Sequence, residues 1–219
     1  MADTLVSDLL RFHHAITRGM NVSFKRARAF ARDGFPDAGT RRGFLDYVHC
    51  TVVLTVAHHD TEDDIVFPEF RKRLPEAPYD ELDDQHEKLL PLLEAVGESV
   101  KAGVDGAPER QWLPALADQV ERLGMMWRAH IDLEERHFTE EAVARVFSPA
   151  EQDELGRRAS DHGQKRAQPP ALLVPFVLFN LEDAERAALA ARLPPPVMQH
   201  LVPVEWKDAW APMKPFLLA

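Results

Sequence analysis

Cysteine is almost absent from this chain. Of 219 residues only Cys50 carries a thiol, so no intrachain disulfide can form, and a reducing compartment such as the cytoplasm is the expectation. Long apolar runs are missing as well. The longest, Ala171 to Phe179, is nine residues and contains Pro175, whereas a membrane-spanning helix needs ~20, so no membrane association is expected. A basic excess is lacking too: 26 Lys and Arg stand against 36 Asp and Glu, a net charge of −10. That is the wrong sign for neutralising phosphates and argues against a nucleic-acid partner. A local basic group (Lys25, Arg26, Arg28, Arg32, Arg41, Arg42) reads as a solvated end of the molecule. The opening MADTLVSDLLRFHH has no cationic start followed by an apolar core and is not read as a signal peptide.

What is present is helical periodicity. Leu5, Leu9, His13, Ile16 and Met20 recur every three or four residues and mark one face of a first helix. Gly34, Pro36 and Gly39 break it. A second helix is expected from about Arg41 to Phe67, closed by Pro68 and Pro75, because proline lacks a donor and clashes in a helix interior. A third runs from Tyr79 to about Lys101, and a fourth from about Glu109 to Val146 after a turn at Gly103, Gly106 and Pro108. Four long amphipathic helices with short breaks predict an all-α, up-down-up-down four-helix bundle over residues 1–163. A short fifth helix should begin at Ser148, where Ser148-Pro149-Ala150-Glu151 has the form of a capping box. Residues 164–219 hold nine of the 17 prolines and one clear helix, Leu181 to Arg192. This C-terminal extension is expected to pack on the bundle or on a partner subunit, in a monomer or dimer.

Two short strings carry the chemistry. His58-His59-Asp60-Thr61-Glu62-Asp63 lies on the second helix and His130-Ile131-Asp132-Leu133-Glu134-Glu135 on the fourth. Each sets a histidine and a glutamate four residues apart, stacked on one helical face with Cβ atoms ~6 Å apart. Imidazole nitrogen with carboxylate oxygen suits iron, manganese or zinc. Both pairs fall on stripes that face the core, where an unpartnered carboxylate is very costly.

Depth along the bundle extends the set. His13 lies 23 residues before Pro36 and His58 lies 22 after it; His86 lies 20 before Gly106 and His130 lies 24 after it. At ~1.5 Å rise per residue each antiparallel pair agrees to about one turn, so all four helices bring a candidate ligand to one level. The predicted metal ligands are therefore His13, His58, Glu62, His86, His130 and Glu134. His13 is chosen over His14 because it continues the Leu9–Ile16 stripe, and His58 over His59 because Glu62 continues its own stripe; His59 with Asp63 is the fallback pair. Asp63, Glu87 and Glu135 are either acceptors that orient ligating imidazoles or solvated helix-face charges. His137, one turn past Glu134, reads as a hydrogen-bonded core histidine or else as an extra ligand or proton relay.

The order histidine, HxxxE, histidine, HxxxE resembles that of the hemerythrin-like, cation-binding HHE family, and HHDTEDDIVFP and HIDLEERH are similar to its second- and fourth-helix signatures. The resemblance covers about residues 5–147. It implies two non-haem iron ions, bridged by carboxylate and by oxo or hydroxo groups, that engage dioxygen, peroxide or nitric oxide. One departure is relevant: the oxygen carriers have a second third-helix histidine where this chain has Leu90, and an aspartate where it has Glu135. A missing histidine opens a coordination position, which shifts the implied activity from reversible oxygen carriage toward catalase-like peroxide consumption or another oxidative-stress role. Iron- or nitric-oxide-responsive sensing and iron handling form a second reading. A ferritin-like oxidase is a third, for which only Glu134-Glu135-Arg136-His137 supplies the Glu-x-x-His pattern.

Overall fold

The computed structural model describes residues 4–218, and among these there is no strand. Helix α1 (Leu5–Asp33) starts at a capping box between Thr4 and Ser7 and stops at Gly34, whose φ of 75° lies where a side chain is strained. Asp37 then caps α2 (Ala38–Thr61) by accepting from the Thr40 amide. After α2 the helix widens into a π turn, Glu62–Val66, in which the Phe67 amide reaches back five residues to the Glu62 carbonyl. It then resumes as α3 (Phe67–Arg73). Helices α4 (Tyr79–Val104) and α5 (Glu109–His137) complete the bundle, in which α1 packs on α2 and α5, and α4 packs on the same two.

Two expected boundaries are corrected. Pro68 does not close the second helix: the π turn ahead of it rearranges the backbone pairing, so the donor that proline lacks falls where the helix restarts. The fourth helix stops at His137 rather than Val146, because Thr139 turns the chain and caps a separate helix α6 (Glu140–Val146) through the Ala142 amide. The fifth bundle-side helix, here α7 (Pro149–Arg166), has the capping box at Ser148 and is 18 residues long rather than short.

The C-terminal residues form α8 (Pro170–Leu178), α9 (Asp183–Arg192), a second π segment (Val197–Glu205), α10 (Lys207–Trp210) and a 3₁₀ segment (Ala211–Phe216). They are built into the main core: Phe176, Trp210, Met213 and Phe216 share one apolar cluster with Phe44, Tyr47 and Leu54 of α2. The Tyr47 hydroxyl donates to Asn180 at 2.6 Å. Contact is closest at Gly43, where an added Cβ would stand 1.9 Å from the Pro212 carbonyl oxygen. Gly43→Ala therefore forces two backbones apart and should cost about 2 kcal/mol, a fall of about 4–8 °C in melting temperature. An unchanged calorimetric melt would show that the 3₁₀ segment is not held this way. Among the described residues no helix is long and apolar enough to cross a membrane.

Candidate metal centre

Midway along the bundle, between its two apolar clusters, seven buried side chains converge from all four long helices and the π turn. Helix α1 supplies His13, α2 supplies His58 and His59, the π turn supplies Glu62, α4 supplies His86, and α5 supplies His130 and Glu134. They form two groups. In one, His59, Glu62, His86 and His130 each offer a donor atom within 4.8 Å of the others; in the second, His13, His58, Glu62 and Glu134 do the same. Glu62 belongs to both. Its Oε1 lies 3.1 Å from His58 Nε2 and its Oε2 lies 3.6 Å from His86 Nε2. Glu134 also faces both groups, with Oε2 3.2 Å from His13 Nε2 and Oε1 3.6 Å from His130 Nε2.

These spacings suit cations. Two donors at right angles, each ~2.1 Å from one ion, stand about 3 Å apart. The donors also lack other employment: Nε2 of His13, His58 and His59, Oε2 of Glu62 and both carboxylate oxygens of Glu134 are buried with no hydrogen-bond partner. His86 Nε2 and His130 Nε2 face each other at 3.1 Å. Six orphaned polar atoms in one interior volume would be very costly without cations between them.

The outward nitrogens are held. His13 Nδ1 lies 2.9 Å from Glu135, His86 Nδ1 lies 2.8 Å from Asp63, and His130 Nδ1 lies 3.1 Å from Gln85. An acceptor on Nδ1 keeps the proton there and leaves the Nε2 lone pair pointing inward. The Trp127 ring closes one side of the centre, with centroids 5.6–5.9 Å from His13, His58, His59 and His130. Phe67 stacks on the far face of His86.

Residues 4–142, more than half of the chain, match the hemerythrin HHE cation binding domain. The chain belongs to the hemerythrin family. Neither curated proteins nor solved structures gave a match. The match is to a domain that binds metal cations, and within it lies the buried histidine and glutamate cluster.

The electrostatics of the domain divide these groups. Burial works against a charged His13, but Glu134 and Glu135 outweigh it and raise its pKa to about 9. His13 Nε2 is misaligned for a hydrogen bond to Glu134, so the attraction is mainly one of charge. Burial, reinforced by neighbouring imidazoles, holds His58 and His59 well below the usual histidine range, and burial brings His130 down to about 4. Burial followed by the Glu134 and Asp63 charges pushes Glu62 well above the carboxylate range. Burial would raise Glu134 also, but His130 and His13 hold it below. His13 and Glu62 are thus the groups that retain protons beyond their ordinary range.

All six residues selected from the sequence stand in this HHE centre. His14 does not: it is exposed and pairs with Glu185 on α9. His59, the fallback to His58, stands beside it in the cluster rather than in its place, and Asp63, its fallback partner, instead holds His86. His59 joins the group of His86, whereas Leu90 is half exposed and offers no donor. The cluster therefore brings together seven side chains, the six selected from the sequence and His59. Glu135 and Asp63 orient imidazoles, whereas Glu87 is exposed and contacts none of them. His137 is exposed, so it is not a core histidine, and it lies outside both donor groups. Gln85 carried no signal in the sequence.

Proposed function

We propose that this hemerythrin-like domain holds two iron ions and consumes hydrogen peroxide in a catalase-like reaction. The observation that carries this reading is the sharing of Glu62 by two adjacent donor groups, each with its own opening. A cleft of about 560 Å³, lined by Asp60, Asp63, Glu87 and Leu90, reaches His59 and His86. A smaller, mostly apolar opening of about 250 Å³, lined by Leu9, Leu10, Phe70 and Phe138, reaches His13, Glu62 and Glu134. Openings that reach the donors from two sides give a small ligand such as peroxide or dioxygen access to both groups.

A thiolate-free set of imidazoles and carboxylates matches iron, with manganese and zinc as the other candidates. Two iron ions would supply a two-electron redox couple, which peroxide disproportionation needs and zinc lacks. The chain's own residues would do the rest. Asp63, Gln85 and Glu135 fix the imidazole tautomers, Trp127 and Phe67 exclude water from two sides, and Glu62 and Glu134 bring negative charge between the cations.

Elemental analysis of the purified protein should find about two irons per chain, one for each donor group. The optical spectrum should change on adding peroxide or azide. Oxygen release from peroxide should fall more than ~10-fold in His130→Ala. An iron-loaded protein that leaves peroxide untouched would remove the enzymatic reading and favour sensing or iron handling.

A further inference from the structure

Three consecutive acids of the π turn have three destinations. Glu62 points into the metal centre, Asp63 holds His86, and Asp64 faces α7. Helix α7 lies beyond the segment matched to the family, yet it grips this turn from both sides. Arg166 Nε donates to Asp60 at 2.8 Å and its Nη2 donates to Asp64 at 2.9 Å. His162 Nε2 lies 3.0 Å from Asp64, and its Nδ1 lies 3.2 Å from the Thr61 hydroxyl. Gly163 lets the helices close, since an added Cβ would meet Thr61 Oγ1 at 3.3 Å.

A π turn is a poorer arrangement than the α-helix on either side of it and persists only where tertiary contacts favour it. Relaxing it to α-helix would change the register between α2 and everything beyond it, and with it the direction of Glu62. One planar guanidinium that bonds residues 60 and 64 spans the ligand at 62 and fixes the separation across the turn. We propose that α7 is a brace for the metal centre, in which Arg166 and His162 are positioning residues that hold the π turn so that Glu62 addresses both donor groups. This rests on Glu62 as a metal ligand, and on neither the identity of the metal nor the peroxide reaction.

Titration of the full-length, metal-free protein with Co(II), followed by its visible absorption, tests the brace. Arg166→Gln should weaken Co(II) binding about 10-fold, the scale for losing a group that orients a ligand, and should alter the band shape at saturation. Arg166→Lys should restore part of the affinity. The melting temperature of the metal-free variants should stay within about 3 °C of the parent, because both ion pairs are partly exposed. Arg157→Gln is the control: it breaks only pairs within α7 and should leave the titration unchanged. Parental affinity and spectrum in Arg166→Gln and in the double variant with His162→Gln would overturn the brace. A parent that binds no Co(II) and no iron would overturn the metal centre itself.

Discussion

Glu62→Gln should lower the metal content from about two ions per chain to less than one and raise the melting temperature of the metal-free protein. The two effects have one cause. Glu62 is the only side chain common to both donor groups, so losing its charge removes an anionic ligand from each ion at once. Affinity should fall at least ~100-fold, beyond what loss of an orienting group costs. In the metal-free state the same carboxylate is 1% exposed and Oε2 has no hydrogen-bond partner. A neutral amide of equal size relieves that burden by about 1–3 kcal/mol, or about 3–10 °C, and the gain grows as pH rises, because burial holds the parent carboxyl well above the usual carboxylate range. Elemental analysis beside calorimetry of the metal-free protein measures both. A variant that still binds two ions would remove Glu62 from its shared role.

Metal affinity and metal-free stability should respond to pH with opposite slopes between about pH 6.5 and 9. The folded pKa of His13, about 9, lies above its ordinary 6.5, so its stabilising charge is fully present below pH 6.5 and is lost as pH rises through 9. Glu62 is raised too, and the cost of burying it grows once an unfolded chain would ionise it, above about pH 4.5. Both lower stability as pH rises. His58, His59 and His130 are held neutral; their penalty arises only below pH 6.5, where an unfolded chain would protonate them. Metal-free stability should therefore peak near pH 6.5 and fall by about 3 kcal/mol, roughly 10 °C, by pH 9. Cations compete for the proton on His13, so affinity should climb up to ~10-fold per pH unit over the same interval. Calorimetric titration in buffers of different ionisation heat would count the released protons. A flat melting temperature across the interval, or a pH-independent affinity, would contradict this assignment of charge.

The bundle and most of its centre were legible in the sequence because helical spacing and distance from each break are both arithmetic. His13, His58, His86 and His130 could be set at one level without coordinates. His59 enters the sequence reading only as an alternative to His58, for a geometric reason: neighbouring residues on a helix point about 100° apart, and choosing one stripe per helix discards the other. A cluster in which two groups of donors meet admits both. The His58-His59 doublet itself was the available signal. Pro68 misled because its cost is removed by a π turn that leaves no composition signature, whereas the Thr139 cap was readable but overridden by the longer periodicity. Partners such as Gln85 depend on side-chain reach across helices, which spacing along one helix does not encode.

Kinship and folding have different borders in this molecule. The likeness to other hemerythrins stops at residue 142, yet Phe176, Met213 and Phe216 from far beyond it are fully or nearly fully enclosed against Phe44 and Tyr47. A chain trimmed to the matched residues would bare that aromatic strip to water and turn an interior into a sticky exterior. The later residues are therefore an inner wall of the same building rather than an ornament on its outside.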